Sequence, residues 1–312
     1  MKQNKHSTMN FTNQDAMQHI TQLQNIACEL GHYGIIRVSG EDAKKFLQGQ
    51  LTCDMEKVSD QQATLGGFCN VQGRLHGIFF TIKYGDDYLL LIPKEGLEHL
   101  LNKLKMYAVF FKVELTDASL DFQIWGHTQK GANSNFAEDM SLEVTAANGV
   151  TEVHLNSLFN ASFMIAEKEH GNAIIKALEG TTLADVNAWD YIEIQAHIPL
   201  VLEETIEELL PHFVGLHLVG GVSFDKGCYT GQEIVARMHY RGKLKTHALL
   251  AYSKDTATLT PGDKVNNEDG KAVGDVIRST VFDSKTYTLI SLADKAMESE
   301  LTINDALFEI LD

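Results

Sequence analysis

Phe224-Asp225-Lys226-Gly227-Cys228-Tyr229-Thr230-Gly231-Gln232-Glu233 is the stretch from which the rest of this chain is read. It places a lysine, a thiol and two glycines directly ahead of a helical pattern. Thr230 followed three residues on by Glu233 has the spacing of a capping box, and Ile234, Val235 and Met238 continue as an apolar stripe. The spacing predicts a helix N-capped by Thr230, with Tyr229 and Ile234 as a hydrophobic staple. Cys228 then lies just outside the positive end of that helix, two residues from Lys226. Unpaired N–H groups and a cation both favour a thiolate there. One reading is a reactive cysteine with a pKa below the usual thiol value; the other is a small buried hydrophobe beside a turn.

The run from Lys226 to Glu233 resembles the signature of the YgfZ family, the folate-binding relatives of the glycine-cleavage T-protein. Arg37-Val38-Ser39-Gly40-Glu41-Asp42-Ala43, Phe46-Leu47-Gln48-Gly49-Gln50-Leu51-Thr52 and Asp54 carry the same resemblance. So do Leu104-Lys105-Met106-Tyr107-Ala108-Val109-Phe110 and Gly220-Gly221-Val222-Ser223-Phe224. It covers most of residues 33–245 and, more weakly, the tail. The resemblance implies a tetrahydrofolate ligand and a functional Cys228, for which the nearby Lys226 reads as the charge partner. It further implies an accessory role in maintaining iron–sulfur enzymes and, through one of them, in tRNA modification.

At 312 residues and 44% hydrophobic content the chain can build two or three domains with a sizeable core. No apolar run reaches the roughly 18 residues of a membrane span, and residues 1–13 lack the apolar segment of a secretion signal, so a cytoplasmic protein is expected. A monomer is expected as well. Cys28, Cys53, Cys69 and Cys228 show no CxxC spacing, which indicates neither a disulfide framework nor a four-thiolate metal site. A net charge of −16 repels nucleic acid over most of the surface and argues against direct tRNA contact. The local exception is Arg237, Arg241, Lys243 and Lys245, read either as an anion site or as cations favouring a helix C-terminus. Glu203, Glu204, Glu207 and Glu208 read as a solvated face.

Along the chain, residues 1–10 carry no periodicity and are expected to fray. Apolar residues at helical spacing predict a helix over 13–30, ended by Gly31. Strands are predicted at 33–38, 61–70, 74–84 and 88–92, with short helix 41–47 between, then a helix at 94–107 and a strand at 112–116. A second pass follows with strands at 120–125, 150–155 and 162–166, helices at 171–178 and 185–197, and no assignment at 131–139. After Thr246 short apolar strands at 248–252, 271–279 and 287–292 alternate with turn clusters. The fold class is therefore α+β: a domain over 1–245 built of two related ferredoxin-like halves, about 14–117 and 118–245, and a small C-terminal β-barrel over 246–312. No clean sequence repeat accompanies the two halves. The signature helix falls near the domain junction, where ligand pockets are common.

A folate site needs apolar or aromatic walls, a few polar groups and a cation for the tail carboxylates. The resemblance puts Tyr33 and Trp189 where the family presents aromatic residues to folate, Tyr33 replacing a more usual tryptophan; both serve equally as core anchors. Asp54, Asn70, Arg74 and Gln232 are polar candidates for the same cavity, joined by Tyr229, Glu233 and Arg237 of the signature helix. Asp54 and Asn70 fit local turn roles too, and Arg74 a solvated strand end. His76, His212 and His217 show no metal-ligand pattern, so no metal is expected. Where the T-protein has an acidic pair and an Asn-Ala dipeptide, this chain has His76-Gly77 and Ile92-Pro93. The acid or base that an aminomethyl transfer requires is thus missing from those places. The alternatives are an aminomethyltransferase-like enzyme passing a one-carbon unit to tetrahydrofolate, and a scaffold that recruits iron–sulfur assembly partners.

Overall fold

The computed structural model describes residues 14–133, 140–241 and 244–311. The expected frayed start, the core of the unassigned 131–139 stretch and Lys243 lie outside the described residues, as does the Arg241 side chain. The chain begins α1 (Gln14–Leu23), β1 (Ile26–Glu29), β2 (Tyr33–Ser39), α2 (Ala43–Gln50), β3 (Gln62–Cys69), β4 (Leu75–Tyr84), β5 (Asp87–Pro93), α3 (Lys94–Ala108) and β6 (Glu114–Asp117). It continues β7 (Phe122–Thr128), β8 (Leu142–Ala147), β9 (Val150–His154), β10 (Ala161–Glu167), α4 (Gly171–Ala177), β11 (Thr182–Leu183), α5 (Val186–Gln195) and α6 (Gln232–Arg241). Last come β12 (Thr246–Ser253), β13 (Lys264–Asn266), β14 (Ala272–Phe282), β15 (Lys285–Ala293), β16 (Leu301–Ile303) and β17 (Ala306–Ile310).

Strands β3, β4 and β5 are buried on both faces over most of their length, as continuous runs such as Leu89-Leu90-Leu91-Ile92 require. They belong to an 11-stranded sheet ordered β11-β1-β7-β10-β9-β8-β3-β4-β5-β2-β6. The first half runs β3-β4-β5-β2-β6 and the second β8-β9-β10-β7, then β1, then β11. With β1 set aside, the first strand in sequence of each half (β2, β7) sits fourth, and a helix, α3 or α4, precedes the last. Antiparallel pairing of Gln62 with Glu143 and Ala63 with Leu142 joins the halves through β3 and β8.

The helix expected over 13–30 stops at Leu23. Asn25 takes a left-handed φ of 57°, and Ile26–Glu29 becomes a strand against β7 and β11. Ile20, Leu23, Ile26 and Leu30 fit a helical period, but Ile26, Ala27 and Cys28 are all buried, and the free sheet edge recruits them. Strand β1 therefore completes the second half although it precedes the first in sequence.

The C-terminal strands close a barrel in the order β12-β15-β14-β13-β16-β17 around Val276, Ile290, Leu292, Leu301 and Phe308. Three of these six strands, β13, β16 and β17, are not among those the sequence pattern predicts, and β13 and β16 are only three residues each. Arg278 of β14, 4% exposed, ties the barrel to α5: Nη2 donates to Asp190 at 2.9 Å and Glu193 at 2.8 Å, and Nη1 to the Ile198 carbonyl at 3.3 Å. Helix α5 starts as the sequence predicts, with the Asp185 side chain accepting the Asn187 N–H at 3.0 Å.

Candidate functional site at the signature segment

The segment ahead of α6 is held by Lys226. Its ammonium donates to the carbonyls of Leu51 and Cys53, both at 2.7 Å, and lies 5.2 Å from the Tyr229 ring centroid. Burial pushes the amine down to about 8, opposed by Cys53 and Asp54. The lysine clasps the segment to the 51–54 turn. Of the four cysteines Cys228 alone is exposed. Burial holds the thiol of Cys28 up at about 11 and that of Cys69 at about 12, and raises Cys53 as well.

Helix α6 begins differently from the sequence expectation. The Thr230 hydroxyl donates to Gln50 Oε1 of α2 at 3.0 Å and does not cap. The Gly231 carbonyl accepts the Val235 N–H at 3.4 Å, opening the helix, and Glu233 pairs with Arg237 at 2.9 Å on the exposed face. A glycine is required here: φ is +84°, and a Cβ would stand 2.5 Å from the Asn70 carbonyl oxygen. Ile234 in turn lies against Gly73, where a Cβ would come within 3.0 Å of it. The capping box gives way because the segment is pressed against the glycine turn and α2, which supply other partners. Tyr229 is buried, and Gln232 is half-buried on the first turn.

Beside this segment lies a cleft of about 320 Å³, lined among others by Asp54, Lys57, Gln62, His217, Phe224 and Asp225. Asp54 Oδ1 accepts from Gln48 Nε2 at 2.8 Å and the Glu56 N–H at 3.1 Å, which fixes the carboxylate at the cleft wall. Phe224 stacks on His239 of α6 with centroids 3.6 Å apart.

Most other sequence candidates lie elsewhere. Asn70 Oδ1 accepts the N–H groups of Gln72 and Arg74, both at 3.0 Å, and Arg74 Nη1 donates to the Glu208 carbonyl at 2.7 Å. These two residues shape the glycine turn and brace the 207–208 segment, and neither lines the cleft. Tyr33 and Trp189, expected as aromatic walls, are interior at 1% and 0% exposure. Tyr33 donates to Glu193 Oε1 at 2.7 Å, and Trp189 stands against Phe163 and fills the space that Gly126 leaves. Helix α5 is buried along most of its length and β2 lies inside the sheet, so both rings sit in the core of this structure. His212 and His217 are adjacent rings, 4.6 Å between centroids, which burial holds down at about 4 and about 3. Arg237 is engaged with Glu233, so the basic run is not a uniform free patch.

One grouping escapes sequence reasoning altogether. His76 of β4 and His99 of α3 lie 23 residues apart, with His76 Nδ1 at 3.1 Å from His99 Nε2. Glu207 Oε1 stands 3.3 Å from the first and 3.9 Å from the second. Glu203, Glu204 and Glu208 are exposed as expected, whereas Glu207, partly exposed, directs its carboxylate at the two histidines.

A sheet domain of two topologically matched halves with a six-stranded barrel is the fold of aminomethyltransferase T. The crystal structure of glycine cleavage system aminomethyltransferase T from Bartonella henselae superposes with a TM-score of 0.68, covering 95% of this chain and 88% of that one at 11% identity. No family model matches the sequence. The tRNA-modifying protein YgfZ of Vibrio vulnificus is 31% identical over 278 residues, 87% of this chain and 85% of that protein. The protein of the same name from Aliivibrio fischeri is 28% identical over 309 residues, 97% and 94% of the two chains. The chain belongs to the YgfZ family. Among the described residues no helix is long and apolar enough to cross a membrane.

Proposed function

We propose that this protein binds tetrahydrofolate and supports the upkeep of iron–sulfur enzymes, and thereby tRNA modification, with Cys228 as its reactive group. The observation that carries the reading is an exposed Cys228 thiol on a segment clasped by Lys226, three residues beyond the Asp225 that lines the cleft. A volume of about 320 Å³ is enough for a small-molecule site. Its lining suits the parts of folate: the Asp54 and Asp225 carboxylates accept from pterin N–H donors, Phe224 offers a ring face, and Lys57 a cation for the glutamate tail. The names of the relatives support the tRNA connection, and the resemblance of the signature supports folate and iron–sulfur proteins.

Calorimetric titration with tetrahydrofolate tests this. Wild type and Cys228→Ala are expected to bind alike, and Asp54→Asn about tenfold more weakly for want of a charged acceptor. Cys228→Ala is expected to leave tRNA modification unrestored in cells lacking the protein. Absence of binding by the wild type removes the folate reading, and full activity of Cys228→Ala removes the role of the thiol. Turnover of tetrahydrofolate with an amine donor would speak for the transferase alternative.

A further inference from the structure

We propose that His76, His99 and Glu207 form a binding site for a divalent transition-metal ion, with zinc as the ion their donors fit. The three donor atoms, His76 Nδ1, His99 Nε2 and Glu207 Oε1, are 3.1, 3.3 and 3.9 Å apart. A tetrahedral ion with bonds of about 2.0–2.1 Å sets its donors about 3.3 Å apart, so this triangle closes on one centre with small side-chain adjustments. Two imidazoles and one carboxylate are a borderline donor set, suited to zinc and ill suited to calcium or magnesium. Three protein donors leave a fourth position for water or a ligand.

The donors come from β4, from α3 and from the segment after α5, so no local sequence feature brings them together. Glu207 is held in place from several sides. Its backbone takes φ +61°, a region costly for a residue with a side chain. Its N–H donates to the Leu75 carbonyl at 2.8 Å, and its carbonyl accepts from Arg74 Nη1 at 3.4 Å. Its second carboxylate oxygen accepts from Asn70 Nδ2 at 3.3 Å, which leaves Oε1 directed at the histidines. Outer hydrogen bonds of this kind orient metal-ligating carboxylates. Lys103 Nζ, 3.2 Å from the same Oε1, is the competitor that an arriving cation must displace. The site stands independently of the folate reading, and through Asn70 it adjoins the turn on which Gly231 and Ile234 rest.

The test is competition for zinc between a chromophoric chelator and the full-length protein, in wild type and in a Cys228→Ala background that removes the exposed thiol. Both proteins are expected to bind one equivalent. His99→Gln and Glu207→Gln in that background are expected to bind at least about tenfold more weakly. Lys103→Met is expected to bind more tightly, an opposite sign that misfolding does not produce. Cobalt substituted for zinc is expected to give visible d–d bands without thiolate-to-metal charge transfer. Equal zinc affinity in the Cys228→Ala protein and the three further variants overturns the site. Binding that disappears with Cys228 overturns it too.

Discussion

Lys226 meets opposing demands. Two main-chain carbonyls and the Tyr229 ring stabilise its charge, while burial holds its pKa at about 8 against an ordinary 10.5. The folded value lies below the unfolded one, so between these limits the unfolded chain holds the extra proton. Its contribution to stability therefore rises with pH across that window. Urea unfolding of wild type and Lys226→Met from about pH 7 to about pH 10 is expected to show the difference moving towards the wild type by about 1 kcal/mol after solvent screening. A difference that is flat with pH would mean that the amine keeps its ordinary pKa. The amine is a clasp first, and its depressed pKa follows from the burial that clasping imposes.

Helix α6 and the glycine turn fit each other through absent side chains. Gly231→Ala is expected to destabilise the protein by about 2 kcal/mol or more, since φ is +84° and the new Cβ meets the Asn70 oxygen at 2.5 Å. Gly227→Ala, four residues earlier in the same motif, meets nothing within 4 Å and is expected to change stability by less than about 0.5 kcal/mol. Denaturant midpoints of the two variants separate the glycine that the packing requires from the one it tolerates. The helix itself is legible from Ile234, Val235 and Met238, but its N-terminal partner is not. Thr230 has the right spacing for a cap, yet the helix opens one residue later on the Gly231 carbonyl, and the Thr230 hydroxyl donates to Gln50, distant in sequence.

For the molecule as a whole, barrel and sheet domain are joined by a shared apolar core, in which Tyr191 packs on Phe282 and Tyr287, and by one buried cation, Arg278. Arg278→Met leaves Glu193, fully buried, with the Tyr33 hydroxyl as its remaining close side-chain partner among the described residues, together with a half-buried Asp190. Breaking such a pair from one side is expected to cost about 3–5 kcal/mol, seen as a lower thermal midpoint. Replacing Arg278 and Glu193 together by apolar residues of similar volume is expected to recover much of that loss. Burial raises the Asp190 carboxyl above its ordinary range, with Arg278 opposing. The same network holds the Tyr33 hydroxyl on Glu193.

The amino-acid sequence by itself determined the class and most of the elements. Long apolar runs became β3, β4 and β5, helical spacing became α3 and α5, and the turn clusters after Thr246 became a barrel. The motif at Lys226 also identified the segment with the exposed cysteine, because local chemistry is written in neighbouring residues. Tertiary structure alone decided the rest. Ile26–Glu29 took a strand from a helical pattern because a sheet edge was free. Tyr33 and Trp189 became core anchors because the interior, which no local pattern reveals, was where their area could be buried. His76, His99 and Glu207 met because three separate elements converge. Spacing along a chain records periodicity and local capping, whereas the meeting of distant side chains depends on how layers pack, and that exists only once the sheet has closed.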